Sequence, residues 1–157
     1  MTLEVWAWLA LAAYTLHIME EFALDWRDWA RSVIGLPVEW TDFYITNAAV
    51  IVLGIVQAQL ANVLPVVALV FAALMLINAT FFHVLPVIVT KGRFSPGAIT
   101  AVLLFYPVGI GMYRTAAAEG LLTRGVLLGS MLGGAVLMAY PIILLRLKGL
   151  PYFRQAP

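Results

Sequence analysis

An all-α membrane bundle is the fold class this chain predicts, and three observations carry that expectation. Hydrophobic residues make up 64% of its 157 residues and charged ones only 11%, with a mean hydropathy of +0.99, far outside the range of soluble globular domains. Five apolar runs are long enough to cross a bilayer at about 1.5 Å per helical residue. A polar, tryptophan-rich piece separates the first two, as a segment lying in the headgroup layer would. The expected architecture is therefore a polytopic bundle of about five transmembrane helices plus one short interfacial helix, forming a single domain over residues 1–157.

The first span is expected from Leu3 to Leu24. Glu4 stands where a basic leader region belongs, so no cleavable signal peptide is expected. In the segment DWRDWARSVIGLPVEWTD, Trp26, Trp29 and Trp40 suit the interface, where an indole keeps its ring apolar and its N–H wet. Arg27 and Arg31 share a helix face there, and Gly35 and Pro37 end the helix. The second span should run from Phe43 to Leu60 and the third from Val63 to Val89. The fourth should run from Gly97 to Tyr113, with Ser95 as its cap and Pro96 at its first position. The fifth should run from Leu121 to Leu147. Pro107 and Pro141 fall inside the last two and should kink them. Gly125, Gly129 and Gly133 form a small-residue stripe that suits internal packing or a homo-oligomer contact. Ser130 and Thr100 read as hydroxyls bonded back to helix carbonyls.

Charge narrows the function classes. A formal net charge of +1 argues against a nucleic-acid surface, which would need a clustered basic face. With no cysteine, disulfides, thiolate metal sites and a cysteine nucleophile are excluded. Lys and Arg divide seven to two: Arg27, Arg31, Lys91, Arg93, Arg146, Lys148 and Arg154 against Arg114 and Arg124. That bias predicts a cytoplasmic-membrane protein with its N-terminus outside and its C-terminus inside.

The sequence His17-Ile-Met-Glu20-Glu21 is the most informative one in the chain. A carboxylate in hydrocarbon costs several kcal/mol (~3 or more) unless it is paired, protonated or hydrated, so two of them beside an imidazole need an explanation. Positions i, i+3 and i+4 share a helix face, which lets His17, Glu20 and Glu21 converge. His17 lies eight residues before Asp25 and His83 eight before Lys91, so the expected topology puts both imidazoles at one depth. Asn47 and Asn78 are the other strongly polar residues near that layer.

The chain resembles the HXXEE-domain family of membrane proteins. His17-Ile-Met-Glu20-Glu21 matches its H-x-x-E-E signature, His83 its further histidine, and Phe94-Ser95-Pro96-Gly97 its Y-x-P-G motif with phenylalanine replacing tyrosine. The resemblance covers roughly Leu11 to Tyr113 and implies an integral membrane protein, suspected of being an enzyme, with no established reaction.

Imidazoles and carboxylates together suit Zn²⁺, Fe²⁺ or Mn²⁺. The leading expectation is a membrane-embedded, metal-dependent enzyme acting on a lipophilic substrate. His17, Glu21 and His83 would be the ligands, Glu20 the general base or a fourth ligand, and Asn47 and Asn78 would stand behind them. Hydrolysis or hydration, oxidation at iron, and metal-free acid–base isomerisation remain open as reactions. The alternatives are a proton- or cation-coupled transporter and a structural membrane subunit. Against a transporter, the opposite half of the bundle has few polar residues, with Gln57, Gln59 and Asn62 near its rim.

Overall fold

A computed structural model describes residues 1–153, which form six helices and a short terminal turn, with no strand among the described residues. Arg154, counted above with the basic side, lies outside them.

Helix α1 spans Leu3–Ala23 and starts where the Thr2 hydroxyl accepts the Val5 N–H. The chain turns through Asp25, at a φ of 56°, into α2, Trp26–Val33. This is the short helix the tryptophans predict. It buries Trp29 and Ala30 against Leu36, Val38 and Leu145, while its charged face stays outside. Helix α3 spans Trp40–Leu60 and begins with the Glu39 N–H donating to Asp42 Oδ2 at 2.9 Å. It therefore starts three residues before the expected Phe43, because that acidic pair caps it.

Helix α4, Pro65–Val89, opens on Pro65 at its first turn, where a missing N–H does no harm. Ala79–Val84 within it is a π-turn. Helix α5, Ala98–Ala118, carries a second π-turn at Ala101–Phe105. Helix α6, Arg124–Leu147, is capped by the Thr123 hydroxyl and contains Pro141. Residues Pro151–Phe153 close the described chain in a 3₁₀ turn.

Four of these helices, α3 to α6, are long and apolar enough to cross a membrane. The expected fifth, α1, has the length, at 21 residues, but Glu4, His17, Glu20 and Glu21 interrupt its apolar run and it is not among the four. Burial explains how α1 keeps these groups: His17 and Glu21 face inward with Ala7, Ala10, Ala13 and Tyr14.

Helix α4 is the most buried of the four, and α1, α3, α5 and α6 pack around it. Alanines on facing sides bring the axes close, among them Ala68, Ala72 and Ala79 of α4. On α6 the close approach is at Gly134, where an added Cβ would lie 2.6 Å from Ala73 Cβ and 2.7 Å from the Leu74 nitrogen. The expected glycine stripe is thus only partly an internal contact. Gly133 meets Val70, whereas Gly129 has open space beside it. The outward faces expose residues such as Leu128, Leu132, Val52 and Ile88, as lipid contact requires.

One end of the bundle gathers the basic residues. Arg93 reaches Ser32, Arg146 reaches the Gly35 carbonyl, Arg31 pairs with Glu39, and Lys148 pairs with Asp42. At the other end Asn62 donates to Glu4.

Candidate metal centre

Helix α1 presents His17 and Glu21 one turn apart, and the π-turn of α4 presents His83 to the same point. All three are buried, with relative exposures of 1%, 5% and 0%. Glu21 Oε1 lies 3.5 Å from His17 Nε2 and 3.5 Å from His83 Nε2. One donor atom from each of the three falls within 4.8 Å of the others. The imidazoles meet edge to face, with centroids 4.7 Å apart, and Phe105 closes over His17 at 4.3 Å.

Hydroxyl groups decide which nitrogen of each ring faces the centre. The Thr100 hydroxyl sits 2.6 Å from Glu20 Oε2 and 2.9 Å from His17 Nδ1. It has one hydrogen, which goes to the carboxylate, so it must accept from His17. Nδ1 therefore carries the ring hydrogen, and Nε2 holds a lone pair. His83 likewise has a hydroxyl beside its Nδ1. Ser95 Oγ donates to the Phe82 carbonyl at 3.4 Å and faces His83 Nδ1 at 3.1 Å. Pro86, four residues on, has no N–H to offer that carbonyl. Neither Nε2 has a hydrogen-bond partner. Two buried imidazole nitrogens and a carboxylate thus face one another, the donor set of a metal site.

Glu20 is not part of that group. Its Oε1 accepts the Gly97 N–H at 3.0 Å and the Ile99 N–H at 3.1 Å. Its Oε2 accepts the Thr100 N–H at 2.8 Å as well as the Thr100 hydroxyl. Four donors occupy the two oxygens, so Glu20 is engaged at the start of α5. Glu20 instead caps α5 from a neighbouring helix, where the exposed N–H groups favour an anion. This corrects the expected start of α5: the helix begins at Ala98, two residues after Pro96, and Ser95 serves His83 rather than the helix end.

Gly97 makes the arrangement sterically allowed. Its φ is +94°, and a Cβ there would lie 2.5 Å from His83 Cε1 and 2.7 Å from His17 Cε1. Only a glycine lets the backbone pass over both rings. Ser95, Pro96 and Gly97 are buried, whereas Phe94, at the family's tyrosine position, is 47% exposed.

Asn47 accepts the Tyr14 hydroxyl at 2.8 Å and donates to the Phe43 carbonyl at 3.0 Å. Asn78 rests its amide nitrogen 3.9 Å from Met138 Sδ, and its buried Oδ1 has no partner. Neither asparagine bonds a member of the triad. Both line a chamber of about 80 Å³ whose wall includes Glu21 and Tyr14.

Thr100 and Ser95 are the site residues that reasoning from the sequence misses. Each has a local role at a helix start or against a carbonyl, and that role hides the bond to a distant imidazole. The available signal was their place on either side of a Pro-Gly pair, since such a pair lets backbone approach a partner closely.

The two edges from Glu21 suit a metal of ordinary bond length. A tetrahedral site with bonds of about 2.1 Å has edges of roughly 3.4 Å, close to the 3.5 Å that separates Glu21 from each Nε2. Two histidines and one carboxylate are a donor set for Zn²⁺ or Fe²⁺ that leaves at least one position open.

A family model described as "Protein of unknown function with HXXEE motif" matches residues 8–112, well over half of the chain and every residue of the centre. No curated protein and no solved structure matches the chain.

Proposed function

The chain belongs to the family of unknown function defined by the HXXEE motif, and on that footing we propose that it is a membrane-embedded, metal-dependent enzyme. His17, Glu21 and His83 hold the metal, and the substrate is a molecule dissolved in the bilayer. The observation that carries this reading is the pair of buried Nε2 atoms without partners, aimed with Glu21 at one point. A bound Zn²⁺, Fe²⁺ or Mn²⁺ would supply Lewis-acid chemistry, or redox chemistry if iron, to a polar group of the substrate.

The chain's own residues set the terms of that chemistry. Thr100 and Ser95 face the two Nδ1 atoms, and with the ring hydrogens held there both Nε2 atoms are available as donors. Glu20 holds Thr100 in place and ties the start of α5 to α1. Phe105 and Tyr14 exclude water from the imidazole side. Access is left to the Glu21 side, where the chamber lies.

A proton or cation relay is less well supported. It would need polar groups through the opposite half, where Gln57 is tied to the Ala7 carbonyl and Asn62 to Glu4.

Metal analysis of the purified protein, with anomalous scattering to place the ion, tests the proposal. About one Zn, Fe or Mn per chain is expected, lost in His17→Ala and His83→Ala and kept in Asn62→Ala. Folding is checked by gel filtration in detergent. Folded, metal-free wild-type protein that takes up none of the three ions overturns the reading.

A further inference from the structure

The chamber beside Glu21 has an outer neighbour. A second cavity, of about 360 Å³, lies against the lipid-facing side of α3 and α6, and it shares Asp42, Thr46, Pro141 and Leu145 with the chamber wall. The two helices scarcely touch each other here, since α3 packs on α1 and α4, and α6 packs on α4. What joins them across the gap is the ion pair of Lys148 with Asp42. Pro141 interrupts the hydrogen-bond ladder of α6 at the same level. Ile45 and Leu144, on the outer rim, are 72% and 45% exposed.

We infer that this gap is a lateral portal, closed by the Asp42–Lys148 pair, through which a hydroxyl-bearing lipophilic molecule passes from the bilayer to Glu21. The inference rests on reading the triad as the reaction centre and names the kind of substrate it takes.

Chemistry inside the chamber selects the head group. Asn78 Oδ1 and Trp26 Nε1 are buried without partners, and both residues line the chamber. One wants a donor and the other an acceptor, and a hydroxyl is both. Asp42 is neutralised by Lys148, and Glu21 faces the imidazoles, so no free charge remains to compensate an ionic head in a dry space. The rest of the wall, including Val38, Phe43, Met138 and Ile142, is apolar and suits a hydrocarbon body. A tail longer than the chamber extends through the gap into lipid, its natural solvent.

The test uses the full chain in phospholipid nanodiscs with a long-chain alcohol that carries a photoactivatable diazirine near its hydroxyl. Adducts mapped by mass spectrometry are expected on the segments holding Asn78, Phe82 and Met138. Excess unlabelled alcohol should suppress them severalfold, and chains of equal length ending in trimethylammonium or phosphate should not. Leu145→Trp and Thr46→Trp fill the portal from opposite sides. Either one, if folded, should reduce chamber adducts severalfold while labelling of lipid-facing Leu128 and Leu132 continues. Adducts confined to the outward faces overturn the portal, and equal competition by the ionic chains overturns the hydroxyl assignment. Protein that binds metal but shows no chamber adducts removes this inference alone. Protein that shows the adducts but binds no metal removes the metal reading alone.

Discussion

At the scale of single residues, the centre depends on two positions that donate nothing to a metal. Gly97 is one, because its backbone crosses both imidazoles at a positive φ. Gly97→Ala combines an unfavourable backbone with two contacts under 3 Å, and a strained position of this kind costs on the order of 1–3 kcal/mol. We expect a lower melting temperature and loss of bound metal together. Thr100 is the other, as the link between Glu20 and His17. Thr100→Val keeps the shape and removes the hydroxyl. Metal affinity, measured by chelator competition, should fall by roughly 10–100-fold, the usual cost of losing an outer partner of a ligand histidine. Thr100→Ser should restore most of it. Equal affinity in the valine variant would mean that His17 needs no such tether.

At the scale of helices, the π-turns and prolines act together. Ala79–Val84 precedes Pro86, and Ala101–Phe105 precedes Pro107, so each widened turn is followed by a missing N–H. Both turns lie against the centre, as such turns do at functional sites. Pro86→Ala offers the Phe82 carbonyl a new N–H in competition with Ser95. We expect weaker metal binding with thermal stability unchanged or raised, a split that separates positioning from packing. The glycines of α6 supply a contrast in sign. Gly134→Ala drives a Cβ into Ala73 and the Leu74 backbone, and overpacking of this kind costs about 1–3 kcal/mol. Gly129→Ala meets open space and should gain about 0.5–1 kcal/mol from helix propensity. Thermal unfolding of the two variants in the same detergent checks both signs.

At the scale of the whole molecule, orientation and metal linkage are open to measurement. The chain has no cysteine, so single cysteines report cleanly. Cysteines at Ser32 and Lys91 should be labelled from the cytoplasm, and one at Glu119 from outside, as the basic bias predicts. Labelling of the Ser32 position from outside would invert the topology and leave the centre as it is. Metal bound only by the folded chain should raise stability by about 2.7 kcal/mol at a free concentration of 100 Kd. Acidification should remove that increment, because protons compete with the metal for the two Nε2 lone pairs.

The amino-acid sequence by itself determined the class of fold, the helix sequence and the presence of a buried polar site. These follow from local properties: apolar runs, caps, interfacial tryptophans, and ionisable residues where hydrocarbon forbids them unpaired. It also determined that His17 and Glu21 share a face, since they are one turn apart on α1. Spacing could not separate Glu20 from Glu21, because adjacent residues at a helix end point about 100° apart and either can face the neighbour. Tertiary structure decided it: the N-terminus of α5 lies beside Glu20 and takes its charge, and His83 lies beside Glu21. The roles of Ser95, Gly97 and Thr100 were settled the same way, by partners some eighty residues distant in the chain or on the far side of a turn. A pattern along one helix records which face is buried; which groups meet that face depends on how the other helices pack.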